Sequence, residues 1–335
     1  MRQAVVTGCA GFIGSHLAER LVADGVRVVG IDAFTAYYDR AQKEANLELL
    51  RGEHRFDLVE LDLADADLVP TLRGATAVFH LAAQPGVRAS FGEGFATYTR
   101  DNILATQRVF EAARSAGCPR VVWASSSSVY GDAEAYPCIE DETPTSPRSP
   151  YGASKRACED LGRIYRDLGL ETVGLRYFTV YGPRQRPDMA FRRLCEAVLG
   201  STPFPLYGDG SQSRDFTHVD DAVDATYRAA RTPEAAALYN VGGGQEATMA
   251  EIITLIGLLA GEQVQLERFP AQTGDVRRTC ADTTRARSTL GWQPTIPLQD
   301  GLASELDWLR DRLDSDARDP RYAEPSLGVG GTSSL

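Results

Sequence analysis

Tyr151 and Lys155 are four residues apart in Tyr-Gly-Ala-Ser-Lys, which on a helix puts a phenol and an ammonium on one face, one turn apart. A fixed positive charge at that distance favours a phenolate, so the tyrosine is a candidate general base near neutral pH. The lysine is also placed to hold a ribose. Four consecutive hydroxyls, Ser125 to Ser128, close an apolar run shortly upstream. A Tyr-x-x-x-Lys spacing alone is common, and its weight depends on a framework that delivers a redox cofactor to it.

That framework starts at the N-terminus. Ala4-Val5-Val6 reads as a buried strand, and Thr7-Gly8-Cys9-Ala10-Gly11-Phe12-Ile13-Gly14 turns it into a helix. The spaced glycines allow a tight turn, close approach to a pyrophosphate and close helix packing, while the helix start offers free N–H groups to phosphates. The next apolar run, Val26 to Ile31, ends in Asp32. Its carboxylate can accept from both adenosine ribose hydroxyls and would repel a 2′-phosphate, so the expected cofactor is NAD rather than NADP. Strand Asp57 to Leu61 leads to Asp62-Leu63, placed to border the adenine, and strand Ala77 to Leu81 leads into Ala82-Ala83-Gln84-Pro85.

A long amphipathic helix from Thr97 to Ala116, strand Val121 to Ala124, helix Tyr151 to Leu168 and strand Thr172 to Arg176 follow in order. Strands alternating with helices predict an α/β chain, a Rossmann doubly wound parallel sheet with ligands at the carboxyl ends of its strands. Beyond Tyr177 the pattern loosens. The expected organisation is an NAD-binding domain over residues 1–178, rejoined by 216–241, and a smaller C-terminal substrate-binding lobe from 179–215 and 242–314. Thr248-Met249-Ala250-Glu251 is a capping-box pattern opening an apolar helix. Residues 315–335 lack periodicity and are expected to form a flexible tail.

The 335 residues carry 43% hydrophobic and 24% charged side chains, a soluble globular balance without a run long enough to span a membrane. A strand beginning almost at once leaves no room for a signal peptide, so the expected location is cytoplasmic. Cysteines 9, 118, 138, 158, 195 and 280 contain no C-x-x-C pair, which argues against a metal site or a disulfide framework. A formal charge of −11 argues against nucleic acid and anionic membranes as partners.

Across residues 3 to 312 the chain resembles the extended short-chain dehydrogenase/reductase family, in its nucleotide-sugar epimerase, dehydratase and decarboxylase branch. The resemblance rests on Thr7 to Gly14, Asp62-Leu63, His80-Leu81-Ala82-Ala83, Ser125 to Gly131, Tyr151-x-x-x-Lys155, Arg176-Tyr177-Phe178, Tyr207 to Phe216 and Leu290-Gly291-Trp292. It implies that Tyr151 is the base for the sugar C4 hydroxyl, Lys155 its partner and Ser126 a catalytic hydroxyl. It also implies that Gly8, Gly11, Phe12, Ile13, Gly14, Asp32, Asp62, Leu63, Leu81, Ala82, Ala83, Tyr151, Lys155 and Tyr177 line the cofactor. Arg214 matches the arginine that grips the nucleoside diphosphate, and Pro85, Ser127, Ser128, Thr179 and Asp275 fall among the substrate-side positions. The family implies a homodimer formed through two long helices, here Thr97 to Ala116 and Tyr151 to Leu168.

The family's 4,6-dehydratases carry an Asp-Glu pair before Val-Tyr-Gly, where this chain has Ser127 and Ser128, and its UDP-glucuronate decarboxylases carry Glu at the place of Ser128. Gln84-Pro-Gly-Val-Arg88 and Tyr177 to Ala190 are similar to UDP-glucuronate 4-epimerases, as is the Tyr37-Tyr38-Asp39 run; Ala89 departs from the aromatic residue often found there. Arg88, Arg184 and Arg186 are candidates to hold a sugar carboxylate or diphosphate, because guanidinium forks match those anions in two-point contacts. The expected reaction is NAD-dependent C4 epimerisation of UDP-glucuronate to UDP-galacturonate through a 4-keto intermediate. Three alternatives stay open: decarboxylation of that intermediate to UDP-xylose or a UDP-4-keto-pentose, a UDP-glucose 4-epimerase, and a non-catalytic nucleotide sensor.

Overall fold

The computed structural model describes residues 1–271 and 274–318. Seven strands form one sheet: β1 (Gln3–Thr7), β2 (Arg27–Asp32), β3 (Phe56–Glu60), β4 (Ala77–His80), β5 (Arg120–Ser126), β6 (Glu171–Tyr177) and β7 (Leu238–Val241). Their order is β7-β6-β5-β4-β1-β2-β3, and every neighbouring pair is parallel. Val5, Val6, Val78, Phe79, Val121 and Val122 are fully buried, the apolar run expected of strands covered on both faces.

The principal helices are α1 (Phe12–Ala23), α2 (Ala105–Ser115), α3 (Pro150–Asp167), α4 (Ala190–Leu199), α5 (Val219–Arg231), α6 (Met249–Ala260) and α7 (Leu298–Arg318). One apolar cluster joins α1 and α5 to one face of the sheet, and a second joins α2 and α3 to the other. The expected Thr97 to Ala116 helix contains a π-helical stretch, Thr99–Leu104, just before α2. A third cluster, including Phe191, Leu194, Ile252, Leu302 and Leu306, packs α4, α6 and α7 together beyond the sheet. The Thr248–Glu251 capping box forms as the sequence predicts. Helix α7 continues to Arg318, into the stretch expected to be tail, and residues 319–335 lie outside the described residues. Among the described residues no helix is long and apolar enough to cross a membrane.

Candidate active site

The turn after β1 is built so that nothing but backbone fits. A Cβ on Gly8, which has φ +69°, would lie 2.8 Å from Ala82 N, and one on Gly14 would lie 2.0 Å from Gly8 O. Gly11 opens α1 with no side-chain cap, leaving the helix N–H groups for an anion. Asp32 at the tip of β2 braces this loop: its two oxygens accept from Ala10 N at 3.1 Å and Phe34 N at 2.8 Å. A carboxylate oxygen accepts more than one hydrogen bond, so both retain capacity for ribose hydroxyls. Donor set, cradle and charge therefore fit a dinucleotide.

The carboxyl ends of β1 to β6 open on one cleft of about 420 Å³. Its wall includes all the residues expected to line a cofactor, Gly8 to Gly14 without Cys9 and Ala10, then Asp32, Asp62, Leu63, Leu81, Ala82, Ala83, Tyr151, Lys155 and Tyr177. It also includes Ser126, Ser127, Ser128, Pro85, Thr179 and Arg186. Arg88, Arg184, Arg214 and Asp275 are not on that wall.

Lys155 is buried and donates from Nζ to Ala124 O at 2.9 Å, which fixes the ammonium at the end of β5. Tyr151, one turn earlier, packs edge-on against Tyr98 with 6.1 Å between ring centroids. Ser126 Oγ accepts from Ser128 N at 3.1 Å, so its own proton remains available to the cleft. Helix α3 is held against β5 and β6 by Glu159, which accepts from Arg176 at 2.8 and 2.7 Å and from Ser125 Oγ at 2.7 Å. Arg176-Tyr177-Phe178 thus serves the site from behind: its arginine anchors the helix that carries Tyr151 and Lys155.

His80 is a satisfied strand residue. Its ring lies between Thr7 Oγ1 at 2.8 Å and Thr106 Oγ1 at 3.0 Å, and burial, helped by the charge of Lys155, lowers its pKa to about 3. Asn102, in the π-helical stretch, holds the Gln84 peptide and Ser154 Oγ. Tyr177 turns its hydroxyl to Thr226 Oγ1 at 2.6 Å and shows the cleft its ring.

The arginines separate by partner. Arg186 faces the cleft and is bonded to Asp188; burial works against its charge, but Asp188 outweighs it and its pKa rises. Arg184, at φ +67°, turns away, placing Nη1 2.8 Å from Glu19 Oε1 and 3.3 Å from Ser15 Oγ on α1. Its expected role toward the sugar carboxylate or diphosphate therefore finds no geometric support. Arg88 pairs with Asp275 at 2.9 Å and lies 4.4 Å over the Tyr207 ring, outside the cleft wall. Arg214 donates to Ser213 O at 2.8 Å, and among the described residues it has no ion pair; burial lowers its pKa, with Asp275 and Asp132 opposing.

Lys43 is a cleft residue that the sequence did not single out. Its Nζ donates to Thr35 O at 2.7 Å and lies 4.8 Å from the Tyr38 ring centroid, and burial lowers its pKa against the pull of Asp32. It lies on the short helix Arg40–Asn46, whose otherwise polar sequence carries no sign of a cleft. Thr35, Tyr38 and Met189 also line the cleft.

A family model described as GDP-mannose 4,6 dehydratase matches residues 5–304. The chain belongs to the extended short-chain dehydrogenase/reductase family of nucleotide-sugar enzymes. Within it, the chain is an NAD-dependent nucleotide-sugar 4-epimerase and is most like the UDP-glucuronate 4-epimerases. A UDP-glucose 4-epimerase of Mycolicibacterium smegmatis is 40% identical over 92% of this chain and 99% of its own. The structure of UDP-glucuronic acid 4-epimerase from Bacillus cereus with UDP-glucuronic acid and NAD is 37% identical, with TM-score 0.89, covering 92% of this chain and 99% of that one. MoeE5, 41% identical, has been solved with NAD and UDP-glucuronic acid, at TM-score 0.83 over 92% of this chain and 99% of that one. It has also been solved with NAD and UDP-glucose, at TM-score 0.84 over 93% and 99%.

Proposed function

We propose that the chain converts UDP-glucuronate to UDP-galacturonate through a UDP-4-keto-hexuronate. The observation that carries this reading is Arg186 on the same cleft wall as Tyr151 and Ser126 to Ser128, a cation beside the hydroxyls that would meet the sugar. Tyr151 takes the proton of the C4 hydroxyl, Lys155 keeps a positive charge one helical turn away, and Ser126 donates to the oxygen on which charge changes. A dinucleotide held by Gly8, Gly11, Asp32 and Lys155 would supply the acceptor for the C4 hydride and, once reduced, the donor that restores it on the other face of the ketone. Arg214, which has no ion pair among the described residues, is assigned to the diphosphate.

The 4-keto-hexuronate is a β-keto acid and loses CO₂ when its C5–C6 bond stands perpendicular to the carbonyl plane. Arg186, Thr179 and the serine hydroxyls are assigned to keep the carboxylate out of that geometry while the sugar turns. Incubation of the NAD-loaded protein with UDP-glucuronate, followed by NMR of the sugars and a CO₂ assay, tests this. UDP-galacturonate without CO₂ supports the reading. Release of CO₂, or turnover of UDP-glucose alone, overturns it in favour of the decarboxylase or the UDP-glucose 4-epimerase.

The reading extends to assembly: Leu104, Ile164 and Leu168 are 44, 45 and 57% exposed on neighbouring helical segments, and a homodimer would cover them. A monomer mass for the NAD-loaded protein by light scattering would rule this out.

A further inference from the structure

Arg186 does not meet the cleft as a bare cation. Its Nε and Nη2 donate to the two oxygens of Asp188 at 3.0 and 3.1 Å, a fork-on-fork contact made within one turn. Met189 N closes that turn on Arg186 O at 3.1 Å, which keeps the two residues' backbones at the spacing the side-chain contact uses. From the cofactor side of the cleft, the Tyr37 hydroxyl donates to the same carboxylate at 3.1 Å. One edge of the guanidinium is thereby taken, and Nη1 has no bonded acceptor among the described residues.

A sugar carboxylate arriving at Nη1 is attracted by Arg186 and repelled by Asp188, two residues further on. An uncharged hexose feels neither to first order. The carboxylate already resident therefore subtracts from the advantage that the arginine gives to a charged substrate, and the subtraction is electrostatic, because the hydrogen-bonding edge presented to the cleft is unchanged.

We infer that Asp188 is a specificity-determining residue, an internal counter-charge on Arg186 that limits the preference of this site for a hexuronate over an uncharged UDP-hexose. The inference rests on the reading that a hexuronate carboxylate meets Arg186. It gives a physical reason for one site to sit between the two substrate classes named among the relatives, UDP-glucose and UDP-glucuronic acid.

The test is the ratio of dissociation constants for UDP-glucose and UDP-glucuronate, measured by calorimetry on the NAD-loaded full chain and on Asp188→Asn and Asp188→Glu. Asn keeps the size and an acceptor for Arg186 while removing the charge. The expected result is an Asp188→Asn preference for UDP-glucuronate raised on the order of tenfold, the scale of one like charge at this range in a partly screened site. Most of the change falls in UDP-glucuronate binding, it shrinks as salt is added, and Asp188→Glu returns the ratio toward that of the natural chain. An unchanged or lower preference in Asp188→Asn, or an Asp188→Glu variant that behaves like Asp188→Asn, overturns the inference. The ratio is a binding measurement read whatever product forms, whereas the proposed reaction fails on its product analysis, so the two failures are distinguishable.

Discussion

Asn102 is bonded to both polar groups of one residue's backbone: its Oδ1 accepts from Gln84 N at 2.7 Å and its Nδ2 donates to Gln84 O at 3.1 Å. The same Nδ2 reaches Ser154 Oγ at 2.9 Å, and Ser154 Oγ donates to Tyr151 O at 2.7 Å. One buried amide therefore joins the loop that carries Pro85 to the helix that carries the candidate base.

Replacing Asn102 by Ala leaves the half-buried Gln84 N–H and C=O without their partner, and water replaces it only in part, so the expected cost is about 1–3 kcal/mol. Denaturant unfolding of the NAD-loaded protein measures this. Turnover is expected to fall as well, because the freed loop lines the cleft, and a variant as stable and active as the natural chain would show that the loop holds itself.

Tyr151→Phe removes the only group assigned to the C4 hydroxyl proton. A loss of about 10²- to 10⁴-fold in kcat is expected, the range for a positioned acid–base group, with NAD content and melting temperature close to those of the natural chain. Retained turnover in Tyr151→Phe would move the base elsewhere and revive the non-catalytic reading of this Tyr-Lys pair.

Glu159 and Arg176 are both buried, 8% and 3% exposed. Removing one partner leaves the other charge uncompensated, so Glu159→Ala is expected to cost about 3–5 kcal/mol of stability, whereas a Glu159→Leu, Arg176→Met double replacement costs much less. Chemical denaturation of the three proteins gives the comparison, and a double replacement as unstable as the single one would contradict this account.

Glu305 on α7 is buried; its Oε2 accepts from Gly182 N at 2.9 Å, and its Oε1 has no partner among the described residues. Burial raises its pKa to about 8, with the Gly182 N–H and Arg192 opposing. Below the ordinary carboxylate value of 4.5 both folded and unfolded chains hold the proton. Between there and about 8 the unfolded chain has lost it while the folded chain keeps it, so stability falls as pH rises and levels off above about 8. Glu305→Gln keeps the acceptor for Gly182 and removes this slope, with a gain over the natural chain that widens from pH 5 to pH 8. Parallel stability–pH curves for the two proteins would refute it.

Much of the site is local in sequence. The glycines that a backbone cradle requires, the acid at the tip of β2, and a tyrosine and lysine one helical turn apart are each fixed by spacing along a single element, so reading the elements in order places them. The alternation of strand and helix gives the parallel sheet for the same reason. Asn102 carries no such mark in its spacing: its bonds to the Gln84 backbone, 18 residues away, exist only once its helical stretch packs on the cleft loop.

The arginines were not legible in this way. Arg184 and Arg186 flank one glutamine in Pro-Arg-Gln-Arg-Pro, and their types are identical; a left-handed backbone at Arg184 sends it to Glu19 on α1, while Arg186 turns inward. Arg88 finds its carboxylate at Asp275, 187 residues away. Lys43 is enclosed by Tyr38 and Thr35, and nothing in its own segment marks it as a cleft residue. The sequence by itself determined the cofactor loop, the sheet and the Tyr-Lys pair, because those depend on the period and dihedral preferences of single elements. Which cations face the substrate, and which are already neutralised, was decided only by tertiary structure, because a charge's partner is set by distance in space and the chain brings distant carboxylates to it.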